Sequence, residues 1–173
     1  MKLYEGGLEE YPISQALISN FLILLWIGIG AYSAYLLFPL LGYLYALLFL
    51  FLIYFLLRKL VCVNCFYYGR ICSMGWGKLS SLLFSRGEIE RFPSSFGIKI
   101  APFVYGSLTV FPIVFLIVTM ATRGFSAGKL FLLLLIILVG LYSGTISRKR
   151  TCSRCKMRYI CPGSAAKGTV ELQ

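Results

Sequence analysis

The sequence predicts an all-α integral membrane protein: four transmembrane helices forming two repeated helical hairpins, each followed by a cysteine-rich loop on the same, cytoplasmic face. Three observations predict it. The 173-residue chain is 59% hydrophobic and only 13% charged, whereas soluble domains carry roughly 25% charged residues. Its apolar residues gather in four runs without Asp, Glu, Lys, Arg or His, each near the ~20 residues that a helical crossing needs. A single motif also occurs twice. Arg58 and Lys59 lead to Cys62, Cys65, Cys72 and Lys78; Arg148 and Lys149 lead to Cys152, Cys155, Cys161 and Lys167. All six cysteines lie in these two copies.

Residues 1–20 form an N-terminal cytoplasmic or interfacial segment, with Ser14 as the expected cap of the first helix. Lys2 is offset by Glu5, Glu9 and Glu10, and the apolar run after it is longer than the core of a secretory signal. Residues 21–78 make the first hairpin and its cysteine loop. Phe21 to Phe38 is one span, Pro39 and Gly42 mark the turn, and Leu40 to Leu57 is the second span. Residues 79–99 read as an amphipathic surface linker, broken by Gly87 and Pro93. Residues 100–167 repeat the pattern. The third span, Ile100 to Ala121, holds Pro102, suited to a first turn, and Pro112, which removes a backbone hydrogen bond in mid-helix. The fourth, Leu130 to Ile146, is uniformly apolar in its middle and suited to lipid on all sides. Residues 168–173 are a loose tail. Each unit crosses twice, so a pseudo-twofold axis along the membrane normal brings both cysteine loops to one face.

Positive charge orients the chain. Fifteen of the seventeen Lys and Arg residues lie in the N-terminal segment, the two cysteine regions and the linker; only Arg123 and Lys129 lie in the turn between the third and fourth spans. Both termini and both cysteine loops are therefore expected in the cytoplasm. The net charge of +11 then addresses the anionic inner leaflet rather than nucleic acid.

The absence of histidine excludes His-ligated haem, His-based acid–base catalysis and mixed Cys/His zinc sites. The spans lack the ionisable residues that channels and proton-coupled transporters place in the bilayer; Asn20, Tyr32, Ser33, Thr109 and Thr119 are too mild and scattered to define a pathway. Function is expected at the cysteine face. A C-x-x-C turn aims two thiolates at one ion, and a reducing compartment favours metal over lasting disulfides. The expected ligands are Cys62, Cys65, Cys72, Cys152, Cys155 and Cys161, holding an iron–sulfur cluster or zinc. Cys161-Pro162 is similar to the Cys-Pro that closes bacterial ferredoxin motifs, although the cysteine intervals differ. Lys78 and Lys167 are placed to stabilise a negative cluster. Tyr67, Tyr68, Trp76 and Tyr159 are placed to shield it, to stack on a quinone, or to serve only as an interfacial aromatic belt.

Three functions remain open on these residues. One is an iron–sulfur electron-transfer subunit working between a soluble redox protein and a membrane acceptor such as quinone. Another is a structural zinc site in a non-catalytic adaptor or subunit of a larger membrane complex. The third is a thiol–disulfide oxidoreductase using the C-x-x-C pairs. Four-helix membrane thiol oxidases resemble the chain in size and in having cysteine pairs; theirs lie in other loops on the opposite face, so none of their residues is carried over.

Overall fold

The computed structural model describes residues 3–166. It is all-helical, with four helices long and apolar enough to cross a membrane. Lys167 and the predicted tail lie outside the described residues.

Helix α1 (Ile13–Leu37) begins ahead of the predicted Phe21. Ser14 is inside the helix, and Pro12 holds the N-cap position in extended backbone (φ −63°, ψ 142°). Proline suits a helix entrance because its φ is fixed and it has no N–H to satisfy. Phe38 breaks the run with extended backbone, and Pro39 opens α2 (Pro39–Phe51). The helix then loosens into a π-helical turn, Leu52–Leu56, and tightens again into α3 (Leu57–Leu60). The second span therefore runs past the predicted Leu57 and carries the first cysteine on a short 3₁₀ turn, Cys62–Asn64.

The predicted surface linker is in part a helix, α4 (Trp76–Leu83), which starts before Leu79. Leu82 and Leu83 on it are exposed. Helix α5 (Phe96–Arg123) comes next, also earlier than predicted, so Pro102 lies beyond the first turn. Helix α6 (Ala127–Leu141) leads into a second π-helical turn, Tyr142–Ser147, and then α7 (Arg148–Ser153), which carries Cys152.

Helix α1 is central, packing on α2, α5 and α6, while α5 also packs on α6. The core between them contains Trp26, Ile27, Tyr45, Phe49, Ile53, Leu108 and Ile136. Pro112 cannot donate the helical bond to Leu108. The Tyr45 hydroxyl of α2 donates to that freed carbonyl at 3.2 Å, so a backbone defect in one helix becomes a tie to another. The last span contributes little to the core: 6% of its apolar window is buried, against 28–33% for the other three.

The turn cations have structural partners. Arg123 donates to the carbonyls of Leu36 and Leu37 at 2.7 and 2.8 Å, at the C-terminus of α1. Lys129 donates to Gly124 at 2.7 Å. Terminal helix carbonyls lack internal partners and carry partial negative charge, which is why these two cations settle there.

Candidate cysteine site

The two cysteine segments share a backbone pattern. In the first, Asn64 N–H donates to Val61, Cys65 to Cys62, Tyr68 to Cys65, Arg70 to Tyr67 and Gly75 to Cys72. In the second, Arg154 donates to Thr151, Cys155 to Cys152, Arg158 to Cys155, Ile160 to Met157 and Ser164 to Cys161. These are the same bonds at equivalent positions. Each π-helical turn also begins ten residues before the first cysteine of its segment, at Leu52 and Tyr142. A π turn inserts a residue into the helix and rotates the chain beyond it, so both cysteine segments leave their spans with the same offset.

One sulfur has direct backbone support. Trp76 N–H donates to the Cys72 sulfur at 3.2 Å. Gly69 and Gly75 adopt φ of 78° and 70°, a left-handed backbone that glycine enters without strain. Gly77 matters for space: a Cβ there would come within 1.8 Å of the Tyr67 carbonyl oxygen.

The two segments meet. Cys65 interacts electrostatically with Cys62 and Cys72 of its own segment and with Cys155 of the other; Cys155 interacts with Cys152 and Cys161. The two segments therefore approach each other at Cys65 and Cys155. Phe92, Met157 and Ile160 make a small apolar cluster against Cys65, Cys155 and Cys161, while Cys62 and Cys72 pack against the membrane core. Among the described residues no disulfide joins any of the six, and each is partly buried. Burial raises Cys65 well above the ordinary thiol value and pushes Cys155 up to about 11. Among the described residues, no group of three or more His, Cys, Asp or Glu side chains is placed to hold a metal ion.

The N-terminal segment, expected only as an interfacial lead, is a strap between the two copies. Leu8 pairs with Cys155 in a parallel bridge. Tyr4 N–H donates to Lys156, Leu8 N–H to Arg154, and Tyr11 N–H to Ile71; the Tyr11 hydroxyl donates to Thr151 at 3.0 Å. Glu9 pairs with Arg70 of the first segment and with Lys156 of the second, the latter at 2.7 Å. Those two cations, Lys156 first, hold its carboxyl below the ordinary value. The sequence signal was Gly6-Gly7: a Cβ on Gly7 would lie 2.7 Å from the Lys156 backbone nitrogen.

Tyr67 is 2% exposed and joins all three pieces. Its hydroxyl donates to Leu8 at 2.7 Å and accepts from Lys156 N–H at 3.1 Å. The Tyr68 hydroxyl donates to Phe84. Trp76 is buried, with Nε1 donating to Asn20 at 2.9 Å. Tyr159 is half-exposed, edge-on to Tyr4. Lys78 points to solvent.

Two residues escaped sequence reasoning. Asn20, read as too mild to matter, donates to Ala16 and Met74 and accepts from Tyr54 and Trp76, tying the first cysteine segment to α1. Arg58, read as a boundary charge, is fully buried. Its guanidinium stacks 3.2 Å from the Trp76 ring centroid, and Nε donates to Ile53. Its counterpart Arg148 is exposed and donates to Gly163. No protein-family model, curated protein or solved structure matches this chain.

Proposed function

We propose that this chain is a membrane-anchored metal–thiolate protein, and that it transfers electrons through an iron–sulfur centre at the cytoplasmic membrane face. The observation that carries the reading is the matched backbone turns of the two cysteine segments, which come together at one apolar cluster against Cys65 and Cys155. The matched turns and matched π turns support two repeated hairpins. The distribution of Lys and Arg supports cytoplasmic termini.

Cys62, Cys65, Cys72, Cys152, Cys155 and Cys161 are the proposed ligands. Loading requires neighbouring thiols to turn about their side-chain torsions toward a shared ion and to release their protons. The membrane acceptor has a candidate place. An apolar cavity of about 240 Å³, lined by Ser19, Trp26, Met74, Tyr142 and Ser147 among others, lies between α1 and the last span. Met74 belongs to the first cysteine segment, so a lipid-soluble acceptor such as a quinone lodged there would sit beside it.

A structural zinc is the second reading, favoured by the strap. A site that clamps two segments and a third peptide resembles a fastening more than a relay, and Cys62, Cys65, Cys152 and Cys155 supply the four sulfurs of a closed zinc site.

Anaerobic purification followed by a visible spectrum and assays of iron, zinc and acid-labile sulfide tests both. Iron with sulfide and a brown colour supports electron transfer. Stoichiometric zinc in a colourless protein supports the fastening. A metal-free protein ends both readings. Impermeant thiol labelling of intact cells after metal removal tests the orientation, since labelling there contradicts a cytoplasmic face.

A further inference from the structure

Hydroxyl side chains in membrane helices ordinarily bond back to their own helix. Ser33 donates to Ile29, Ser107 to Val104, Thr119 to Phe115 and Thr145 to Leu141. Each such bond hides a polar group from lipid. Ser19, Ser143 and Ser147 make no such bond among the described residues. All three line the apolar cavity of about 240 Å³ between α1 and the last span.

Trp26 lines the same cavity. It is 4% exposed, and its Nε1 is buried without a hydrogen-bond partner among the described residues. A buried indole N–H normally has an acceptor. The chain's other tryptophan, Trp76, follows that rule, with Nε1 donating to Asn20 at 2.9 Å.

The π-helical turn Tyr142–Ser147 supplies Tyr142, Ser143 and Ser147 to the lining. Turns of this kind recur at functional sites because they displace side chains from the regular helical faces. The equivalent turn of the second span, Leu52–Leu56, contributes nothing to this cavity. The backbone irregularity is repeated, but the recess beside it is not.

The lining selects its occupant. No charged side chain belongs to it, so the head of the ligand is neutral. An indole N–H only donates, so that head carries an acceptor. Two aromatic rings, Trp26 and Tyr142, are present, and aromatic faces stack on a flat ring. Leu138 and Tyr142 are exposed on the span that protein covers least, which gives entry from lipid.

We propose that this cavity binds a neutral, membrane-soluble ring bearing a carbonyl, a quinone by chemical class, with the Trp26 N–H as donor to that carbonyl and the hydroxyls of Ser19, Ser143 and Ser147 as further polar contacts. Calling that ring an electron acceptor rests on the electron-transfer reading above; its binding requires no metal. Diacyl lipids also carry ester carbonyls, but they have no flat ring for Trp26 and Tyr142 to stack on.

The test uses the full chain in dodecyl maltoside, as wild type, Trp26→Phe, Ser143→Leu and Thr145→Leu, each first checked for folding by size exclusion and a melting curve. Protein captured on resin is equilibrated with a concentration series of decylubiquinone, and the bound quinone is extracted and quantified. Wild type should bind it saturably and stoichiometrically. Trp26→Phe keeps a ring and loses the N–H, and should weaken binding by about fivefold, the size of one neutral hydrogen bond. Ser143→Leu puts a larger side chain into the cavity and should abolish binding. Thr145 is exposed on the same turn but outside the lining, so Thr145→Leu should change nothing. Non-saturable uptake by wild type overturns the proposal. So do equal uptake by Ser143→Leu and Thr145→Leu, an unchanged affinity in Trp26→Phe, and displacement of the quinone by equimolar dioleoylglycerol, which assigns the cavity to an ester lipid. Where Ser143→Leu does not fold, Trp26→Phe against wild type decides. Metal content of the same samples keeps the two readings apart. Quinone bound by metal-free protein sinks electron transfer and leaves the cavity site standing; metal-loaded protein without bound quinone sinks the cavity site and leaves the metal reading standing.

Discussion

The backbone N–H of Lys156 donates to the phenol oxygen of Tyr67 at 3.1 Å, across a sequence gap of 89 residues. The same oxygen donates to Leu8, so one hydroxyl connects the strap and both cysteine segments. Replacing Tyr67 with Phe keeps the ring and removes both bonds. Loss of a buried bond that strands its partners costs about 1–3 kcal/mol. Thermal unfolding in detergent should show a lower midpoint, together with faster alkylation of Cys155. A melting curve identical to wild type would show that the bridge is idle.

Tyr45 and Pro112 offer a cleaner cycle. The Tyr45 hydroxyl serves a carbonyl orphaned by Pro112. Tyr45→Phe alone should destabilise by about 1 kcal/mol. In a Pro112→Ala background the helix supplies its own donor, so the same change should cost less. Additive effects of the two substitutions would contradict this coupling.

Glu9 makes the strap sensitive to acid. Lys156 and Arg70 hold its folded pKa below the ordinary 4.5. A lowered carboxyl contributes stability above its unfolded pKa and loses that contribution as pH falls through the folded value. Wild type should therefore lose part of its stability below about pH 4.5, and Glu9→Gln should lack that component. The comparison is a melting midpoint measured against pH at constant ionic strength.

Cys155 behaves in the opposite sense. Burial raises its folded pKa from 9.0 to about 11. A raised group contributes fully below the unfolded pKa, and the contribution disappears as pH rises through the folded one. Metal-free protein should weaken between about pH 9 and 11, and Cys155→Ser should weaken less over that interval. Parallel pH curves for the two would refute the assignment.

The four spans were legible because lipid demands long runs without charge, and those runs have no other explanation. Their ends were less so. Every described span extends beyond its apolar run, because helices continue through Ile13 to Asn20 and through Arg58 to Leu60 into the aqueous boundary. The π turns leave no shared residue signature: one is Leu-Ile-Tyr-Phe-Leu and the other Tyr-Ser-Gly-Thr-Ile-Ser. Arg58 was misread because a charge at the edge of an apolar run ordinarily reaches outward; here Trp76, eighteen positions away, closes over it. The strap was illegible for a related reason. It is held largely through backbone groups of Tyr4, Leu8 and Tyr11, and every residue except proline has the donor that such bonds use.

The strap also imposes an order in time. Tyr4 and Leu8 are synthesised early, yet their partners Lys156 and Arg154 leave the ribosome only after all four helices have been made. Until then the strap can close only against the first cysteine segment, through Ile71, Tyr67 and Arg70, and the cysteine face remains half-built. Full closure of the strap thus waits on synthesis of the second cysteine segment, and a nascent chain stalled in the fourth helix should expose thiols that the folded molecule covers.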